Sequence, residues 1–420
     1  MHDGPGAFSL RGYPSFNLRE DNDLSDDRPV RDTFLPFSRP SLGEAEIGGV
    51  VEVLKSGWIT TGPKTRAFEE QFAAYVGAKH ALAVTSGTGG EHITLLSMGI
   101  GPGDEVITSP MTWASSVNMI VAVGATPVLV DVDPRTFNID PAQVAKKITA
   151  RTRAIIPVHF AGLACDLDAL SAIAAPHGIP ILEDAAHAVG THYKGGQIGS
   201  HGNTAIYSFH PIKNITTGEG GMVTTDDDAL AAQIRLWRFH GVNRDSWARS
   251  GKGGAGGYDV LLPGFKYNML DLQAALGIAQ LARLEEFIAR RTELAEFFLA
   301  KLGGLEELQL PVADPGFPAR HAWHLFTPLV DVDRLDCDRF EFMDELKNEN
   351  IGTGLHFLAV HLNAMYEKRF GYRRGDFPNA ERISDRILSL PLFPSMTDRD
   401  AQDVVDAVVK VVRRHRKVGR

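Results

Sequence analysis

Pro180-Ile181-Leu182-Glu183-Asp184 and Thr204-Ala205-Ile206-Tyr207 decide the fold: both are short, nearly unbroken apolar runs. A strand with one wet face alternates apolar and polar residues, whereas unbroken runs belong to strands covered on both faces. Working outward, the pattern recurs at 81–84, 105–108, 127–130, 154–158 and 222–225, with helix-length segments at 141–150, 166–175 and 226–239 between. Strand–helix alternation sustained over ~150 residues requires crossover units. The expected class is α/β, with a mostly parallel sheet sandwiched by helices.

Near Asp271 the text changes to one long helical stretch, 271–302. It is followed by shorter mixed elements: strands near 324–330, a helix at 338–348 and a last helix from Asp398. This reads as a smaller α+β domain. The expected division is a disordered extension at 1–33, where 20–29 is acidic and turn-rich, a large domain at 34–285 and the small one at 286–420. The basic last residues complement a helix C-terminus.

Composition excludes several classes. At 420 residues, 44% hydrophobic and 23% charged, the chain can bury a large core. No apolar run approaches the ~20 residues that span a bilayer. A net charge of -9 argues against nucleic acid, which clustered Lys and Arg recognise. Two cysteines without a CxxC pattern suit a reducing cytoplasm, and the N-terminus lacks a signal-peptide pattern. The expectation is a cytoplasmic enzyme with no nucleic-acid or membrane partner.

Ligands of open α/β sheets bind beyond the carboxyl ends of the strands. After 81–84 comes Thr85-Ser86-Gly87-Thr88-Gly89-Gly90, whose small residues at a helix start could cradle a phosphate or simply enter a helix. Asp184 ends an apolar strand ahead of Ala185-Ala186-His187, and either caps the next helix or faces a bound cation. Lys213, in Ser208-Phe209-His210-Pro211-Ile212-Lys213-Asn214, stands between apolar neighbours before a Gly-rich turn. Lost solvation would lower its pKa and suit it to condense with a carbonyl. Alone, it reads more readily as a solvated loop lysine. Taken in order, cradle, acid and amine match pyridoxal phosphate, which has a phosphate, a pyridine nitrogen and an aldehyde. Trp113, after another strand, could stack on its ring or pack in the core.

These stretches, with Ser56-Gly57-Trp58-Ile59-Thr60-Thr61-Gly62-Pro63 and Gly264-Phe265-Lys266-Tyr267-Asn268, resemble the DegT/DnrJ/EryC1/StrS sugar aminotransferases, a branch of the fold-type I pyridoxal-phosphate enzymes, from about 34 to 411. Residues 35–40, 321–326 and 352–357 look like the subgroup that aminates UDP-4-keto-pentoses. The resemblance implies that Lys213 binds the cofactor aldehyde and moves the proton, while Asp184 holds the pyridine nitrogen. His187 would lie near the phenolic oxygen and Trp113 on the ring. It implies phosphate binding by Thr88, Gly89 and Ser208, with Asn268 supplied across a homodimer. Thr60, His324 and His356 would touch the sugar. The implied reaction moves an amino group from L-glutamate, leaving 2-oxoglutarate, to a keto-sugar nucleotide for cell-envelope or lipopolysaccharide synthesis; Arg238 and Arg244 are candidates for the donor carboxylates.

Three features compete. Residues 251–256 spell G-x-G-x-x-G without the flanking strand and helix of a dinucleotide site. His356 and His361 lack companions for a metal. Cys337 raises a desulfurase or lyase using the same cofactor, and a non-catalytic relative that binds it is the other alternative.

Overall fold

The computed structural model describes residues 28–243 and 258–417. The acidic stretch before 28, the literal glycine motif at 251–256 and Arg244 lie outside the described residues.

β1 (His80–Val84), β2 (Glu105–Thr108), β3 (Thr126–Leu129), β4 (Thr152–Ile156), β5 (Leu182–Asp184), β8 (Thr204–Ser208) and β9 (Gly221–Thr225) build the central sheet; β6 (His192–Tyr193) and β7 (Gly196–Gln197) form a small hairpin before β8. Hydrogen-bonded ladders give β1-β9-β8-β5 and β3-β2-β4, and parallel bridges Ile155↔Ile181 and Val158↔Asp184 join β4 to β5. The order is thus β3-β2-β4-β5-β8-β9-β1. Every strand runs parallel except β9, which is antiparallel to β1 and β8.

The unbroken apolar runs are explained by packing on both faces. Leu82, Val84, Ile156 and Ile206 enter one buried cluster, while Ala81, Ala83, Ile155 and Tyr207 enter another on the opposite face. Crossover helices cover these faces: α3 (Gly87–Ser97) and α4 (Ala114–Ala122), then α5 (Pro141–Lys147), α6 (Leu167–Ala174) and α7 (Asp228–Trp237), preceded in the chain by α1 (Glu44–Ser56) and α2 (Pro63–Val76). Side-chain caps start several of them: Ser86 on α3, Asp140 on α5, Asp166 on α6 and Asp227 on α7.

The long stretch expected over 271–302 is two helices, α8 (Asp271–Ala282) and α9 (Leu284–Leu302), broken at Arg283 (φ -105°, ψ 1°). Its guanidinium reaches Glu46 of α1 at 3.3 Å, and Gln280 donates to the same carboxylate at 2.8 Å. A distant buried acid (Glu46 is 1% exposed) pins the break.

C-terminal to α9, short β10 (Leu308–Gln309) pairs with β12 (Leu329–Val330), and β11 (Ala319–Arg320) joins the β6–β7 hairpin. Only this last part of the strand expected near 324–330 forms a ladder. α10 (Arg339–Asn348), α11 (Ala364–Phe370), α12 (Pro378–Arg386) and α13 (Asp398–His415) follow. Capping boxes at Asp338–Glu341 and Thr397–Asp400 start α10 and α13. Phe298, Phe326, Phe342, Val404 and Val408 centre a separate buried cluster, which Leu35 enters from the N-terminal side through its parallel bridge to Ile351. Among the described residues no helix is long and apolar enough to cross a membrane.

Candidate active site

The carboxyl ends of β1, β4, β5 and β8 open on one cavity of about 380 Å³, within the ~300–1,000 Å³ usual for small-ligand sites. Of the residues singled out in the sequence, Thr88, Trp113, Asp184, His187, Ser208, Lys213 and His356 line it. Gly89, Thr60, His324 and Asn268 do not.

The first wall is the start of α3. Gly87 and Thr88 stand where a helix presents N–H groups that its own turns leave unmatched. Gly89 N–H instead donates to the Ser86 hydroxyl at 3.0 Å, the ordinary N-cap bond. The cradle is tight. A Cβ on Gly87 would meet Ser208 Cβ at 3.2 Å, and one on Gly221 would lie 2.6 Å from the Gly87 nitrogen. Glycine at 221 lets β9 press against the cradle's backbone.

Asp184 forms the floor. Its Oδ1 accepts from Ala186 N–H at 3.0 Å and its Oδ2 from the Ser116 hydroxyl at 2.8 Å, with Thr112 Oγ1 3.3 Å from Ser116 Oγ. The acid therefore makes the local turn bond expected of a cap and still faces the cavity. Ser116, fully buried on α4, had no signal in the sequence. Glu91, a buried carboxyl on α3 just past the glycines of the cradle, lines the same cavity.

Lys213 follows β8, its backbone N–H bonded to His210 at 2.8 Å. Desolvation pushes its amine down to about 8, against an opposing pull from Asp184. At pH 7 about a tenth of such an amine is neutral, against well under a thousandth for an ordinary lysine. It is the one Lys or Arg among the described residues that line the cavity.

On the other side, the His187 and Phe357 rings stack at 5.8 Å and 19°. Burial holds the His187 imidazole well below its usual range and His356 down to about 4, with Lys213 adding to both. These rings are neutral, with His356 Nδ1 fixed 2.8 Å from Ser389 Oγ. His324 lies behind His187, ring centroids 4.4 Å apart, out of reach of the cavity. Trp113 is 65% exposed at the cavity edge, its ring 6.1 Å from Phe357.

Asn268 bridges Val84 instead, its Nδ2 donating to Thr61 Oγ1 at 2.6 Å, and its Oδ1 is buried without a partner. The Thr60 carbonyl accepts from Asp271 N–H. Arg238 is tied to Glu69 and to the Ala83 carbonyl, away from the cavity. Cys337 is buried in the C-terminal cluster, where burial and nearby acids push its thiol up to about 11, so it supplies no sulfur to this site.

A helix-start cradle, an oriented carboxylate and a desolvated amine in one cavity are the donor set that fits pyridoxal phosphate, and that is the cofactor this site fits. Sheet order and site together define a pyridoxal-phosphate enzyme of fold type I. The DegT/DnrJ/EryC1/StrS aminotransferase family matches residues 40–409. Among similar proteins, the spore coat polysaccharide biosynthesis protein SpsC of Bacillus subtilis is 50% identical over 91% of this chain and 98% of its own. Spr1654 of Streptococcus pneumoniae, solved in PMP and PLP forms, superposes in the PMP form with a TM-score of 0.85 at 31% identity, covering 90% of this chain and 99% of that one. The sugar aminotransferase CalS13 of Micromonospora echinospora gives 0.79 at 30% identity, covering 89% and 98%. This chain belongs to the DegT/DnrJ/EryC1/StrS aminotransferase family.

Proposed function

We propose that the chain moves the amino group of L-glutamate to a keto-sugar nucleotide, with a UDP-4-keto-pentose or a related 4-keto or 3-keto sugar as acceptor. The observation that carries this reading is the meeting of Lys213 and Asp184 in one cavity, with the lysine amine pushed down to about 8. The description of CalS13 as a sugar aminotransferase and the polysaccharide role in SpsC's name support a sugar acceptor destined for the cell envelope.

Bound pyridoxal phosphate supplies a carbonyl carbon that takes up amines and a ring that accepts the electron pair left by a departing proton. Lys213 would hold that carbonyl, and its Nζ would carry the substrate's α-proton. Ala186 and Ser116 aim Asp184, which would hold the ring nitrogen. Thr88, Gly89 and Ser208 would hold the phosphate. Trp113 would lie on the ring, His187 would serve the phenolic oxygen, and His356 would meet the sugar. On the division at 285, these cofactor residues belong to the large domain and His324 and His356 to the small one.

A homodimer completes the site in this reading. A dicarboxylate donor and a nucleotide diphosphate need more cations than Lys213, and a second copy can bring them together with Asn268 and Thr60. Ile47, Val51 and Leu54 leave an exposed apolar stripe on α1 that suits such a contact. Two unpaired, buried cysteines suit a cytoplasmic setting.

The test is chemical. Borohydride reduction of the cofactor-loaded protein and peptide mapping are expected to find a pyridoxyl adduct on Lys213, and L-glutamate is expected to convert the absorbance of the unreduced protein. No adduct at that residue would overturn the reading.

A further inference from the structure

Glu91 is a second carboxyl at the floor of this cavity. It lies on α3, four residues beyond Gly87, and is 4% exposed. Its helix packs there on apolar sheet residues: a Cβ on the neighbouring Gly90 would lie 3.0 Å from Val223, 3.3 Å from Val84 and 3.4 Å from Ile206. Oε1 is buried and has no hydrogen-bond partner, although Glu91 shares the cavity with Asp184, Ser208 and Lys213. A polar atom so buried points to a partner that the protein itself does not supply.

The two acids are unequally supported. Asp184 accepts two hydrogen bonds, from Ala186 and Ser116, whereas Glu91 Oε1 accepts none. Burial, and then the negative charge of Asp184, push the Glu91 carboxyl well above its ordinary range. Two anions in one buried cavity repel, and the acid with fewer donors, Glu91, is the one that keeps a proton.

We propose that Glu91 and Asp184 form a carboxyl pair holding one proton at the floor of the cavity, and that seating a pyridinium cation on Asp184 releases this proton from Glu91 to solvent. The cation would cancel the charge that repelled ionised Glu91. The O–H bond of Glu91 breaks, the electron pair stays on the carboxylate, and water or buffer takes the proton. Cofactor loading is then proton-linked, and Glu91 is a positioning residue for the ring.

Other ionisable groups around the cavity are His187, His210, Lys213, Glu219 and His356. α3 itself carries His92, and of the elements packed on α3, α4, β8 and β9 carry no carboxylate, amine, guanidinium or imidazole, β8 adding only the Tyr207 phenol. β1 and α7 bring His80, Asp228 and Arg235, of which His80 and Asp228 pair with each other. All are retained in Glu91→Gln and Glu91→Leu, so differences between variants and wild type isolate Glu91.

The first measurement is the melting temperature of the cofactor-free protein between pH 5 and 8.5. A carboxyl raised in the folded state binds its proton more tightly there than in the unfolded chain. Its stabilising contribution is full below the unfolded value near ~4.3 and is lost as pH rises through the folded one. Wild type is therefore expected to lose stability with rising pH relative to both variants. The second is calorimetry with pyridoxine 5′-phosphate, whose alcohol cannot condense with Lys213, in two buffers of different ionisation enthalpy. Wild type is expected to release up to one proton more than either variant. Its dissociation constant should fall by up to about tenfold per pH unit relative to theirs. Parallel melting profiles, equal proton counts, or no binding of the analogue to wild type overturns the proposal; the last would also count against the cofactor assignment, whereas the first two leave it standing.

Discussion

Gly221→Ala tests whether β9 shapes the phosphate cradle. A Cβ there would lie 2.6 Å from the Gly87 nitrogen and the Ser86 carbonyl carbon and 2.7 Å from the Tyr207 oxygen, where real Cβ contacts essentially never fall below 3.0 Å. All three neighbours are backbone atoms, so no side chain can turn away. Overpacking of this kind costs about 1–3 kcal/mol. The displacement falls on Ser86 and Gly87, the start of α3, and misplaces N–H groups that must meet a phosphate. A hydrogen bond to a charged group contributes about 1.5–3 kcal/mol, so losing one weakens binding roughly ten- to a hundredfold. The assay is a titration of pyridoxine 5′-phosphate against unphosphorylated pyridoxine, with melting temperatures recorded alongside. Gly48→Ala, on α1 with nothing within 4 Å of the added carbon, is the control. Gly221→Ala should melt lower and lose affinity mainly for the phosphorylated ligand, while Gly48→Ala does neither. If Gly221→Ala binds both ligands as wild type does, β9 does not set the cradle and the reasoning fails.

Because desolvation pushes the Lys213 amine down to about 8 against the pull of Asp184, borohydride-fixed capture of pyridoxal phosphate by the cofactor-free protein should rise with pH with a midpoint near 8; Asp184→Asn should move it lower. A midpoint near that of free lysine would contradict the desolvated site. Ser116→Ala removes one of the two donors that aim Asp184, and should slow the glutamate half-reaction about ten- to a hundredfold. Stopped-flow rates within twofold of wild type would dismiss Ser116. Far from the site, Lys410 pairs with Glu349 at 2.9 Å, both 4% exposed. Glu349→Ala strands the buried ammonium and should cost about 3–5 kcal/mol in urea unfolding, while the pair of changes Glu349→Ala and Lys410→Met should recover part of it.

Much of this was legible in the chain because strands and their ends are local. Unbroken apolar runs located the central strands, and the residues just past them included Thr88, Trp113, Asp184, His187, Ser208 and Lys213, which meet in one cavity. The helices read at 338–348 and from Asp398 form as α10 and α13. The runs carry no direction: 222–225 reads like its neighbours, yet β9 lies antiparallel between β1 and β8. Periodicity likewise passes through Arg283 unbroken, because the helix breaks there under the hold of Glu46, more than two hundred residues earlier.

The sequence by itself determined the α/β class and the order of the candidate cradle, acid and amine along the chain, since each depends on hydrophobic period and on neighbours within a few residues. Only the tertiary structure decided that Ser116 aims Asp184, that Glu91 shares its cavity, that His324 sits behind His187, and that Cys337 lies outside that cavity. Those relations join residues on different elements through the strand order and register of one sheet, and the packing of side chains across it is not written in any local stretch of the chain.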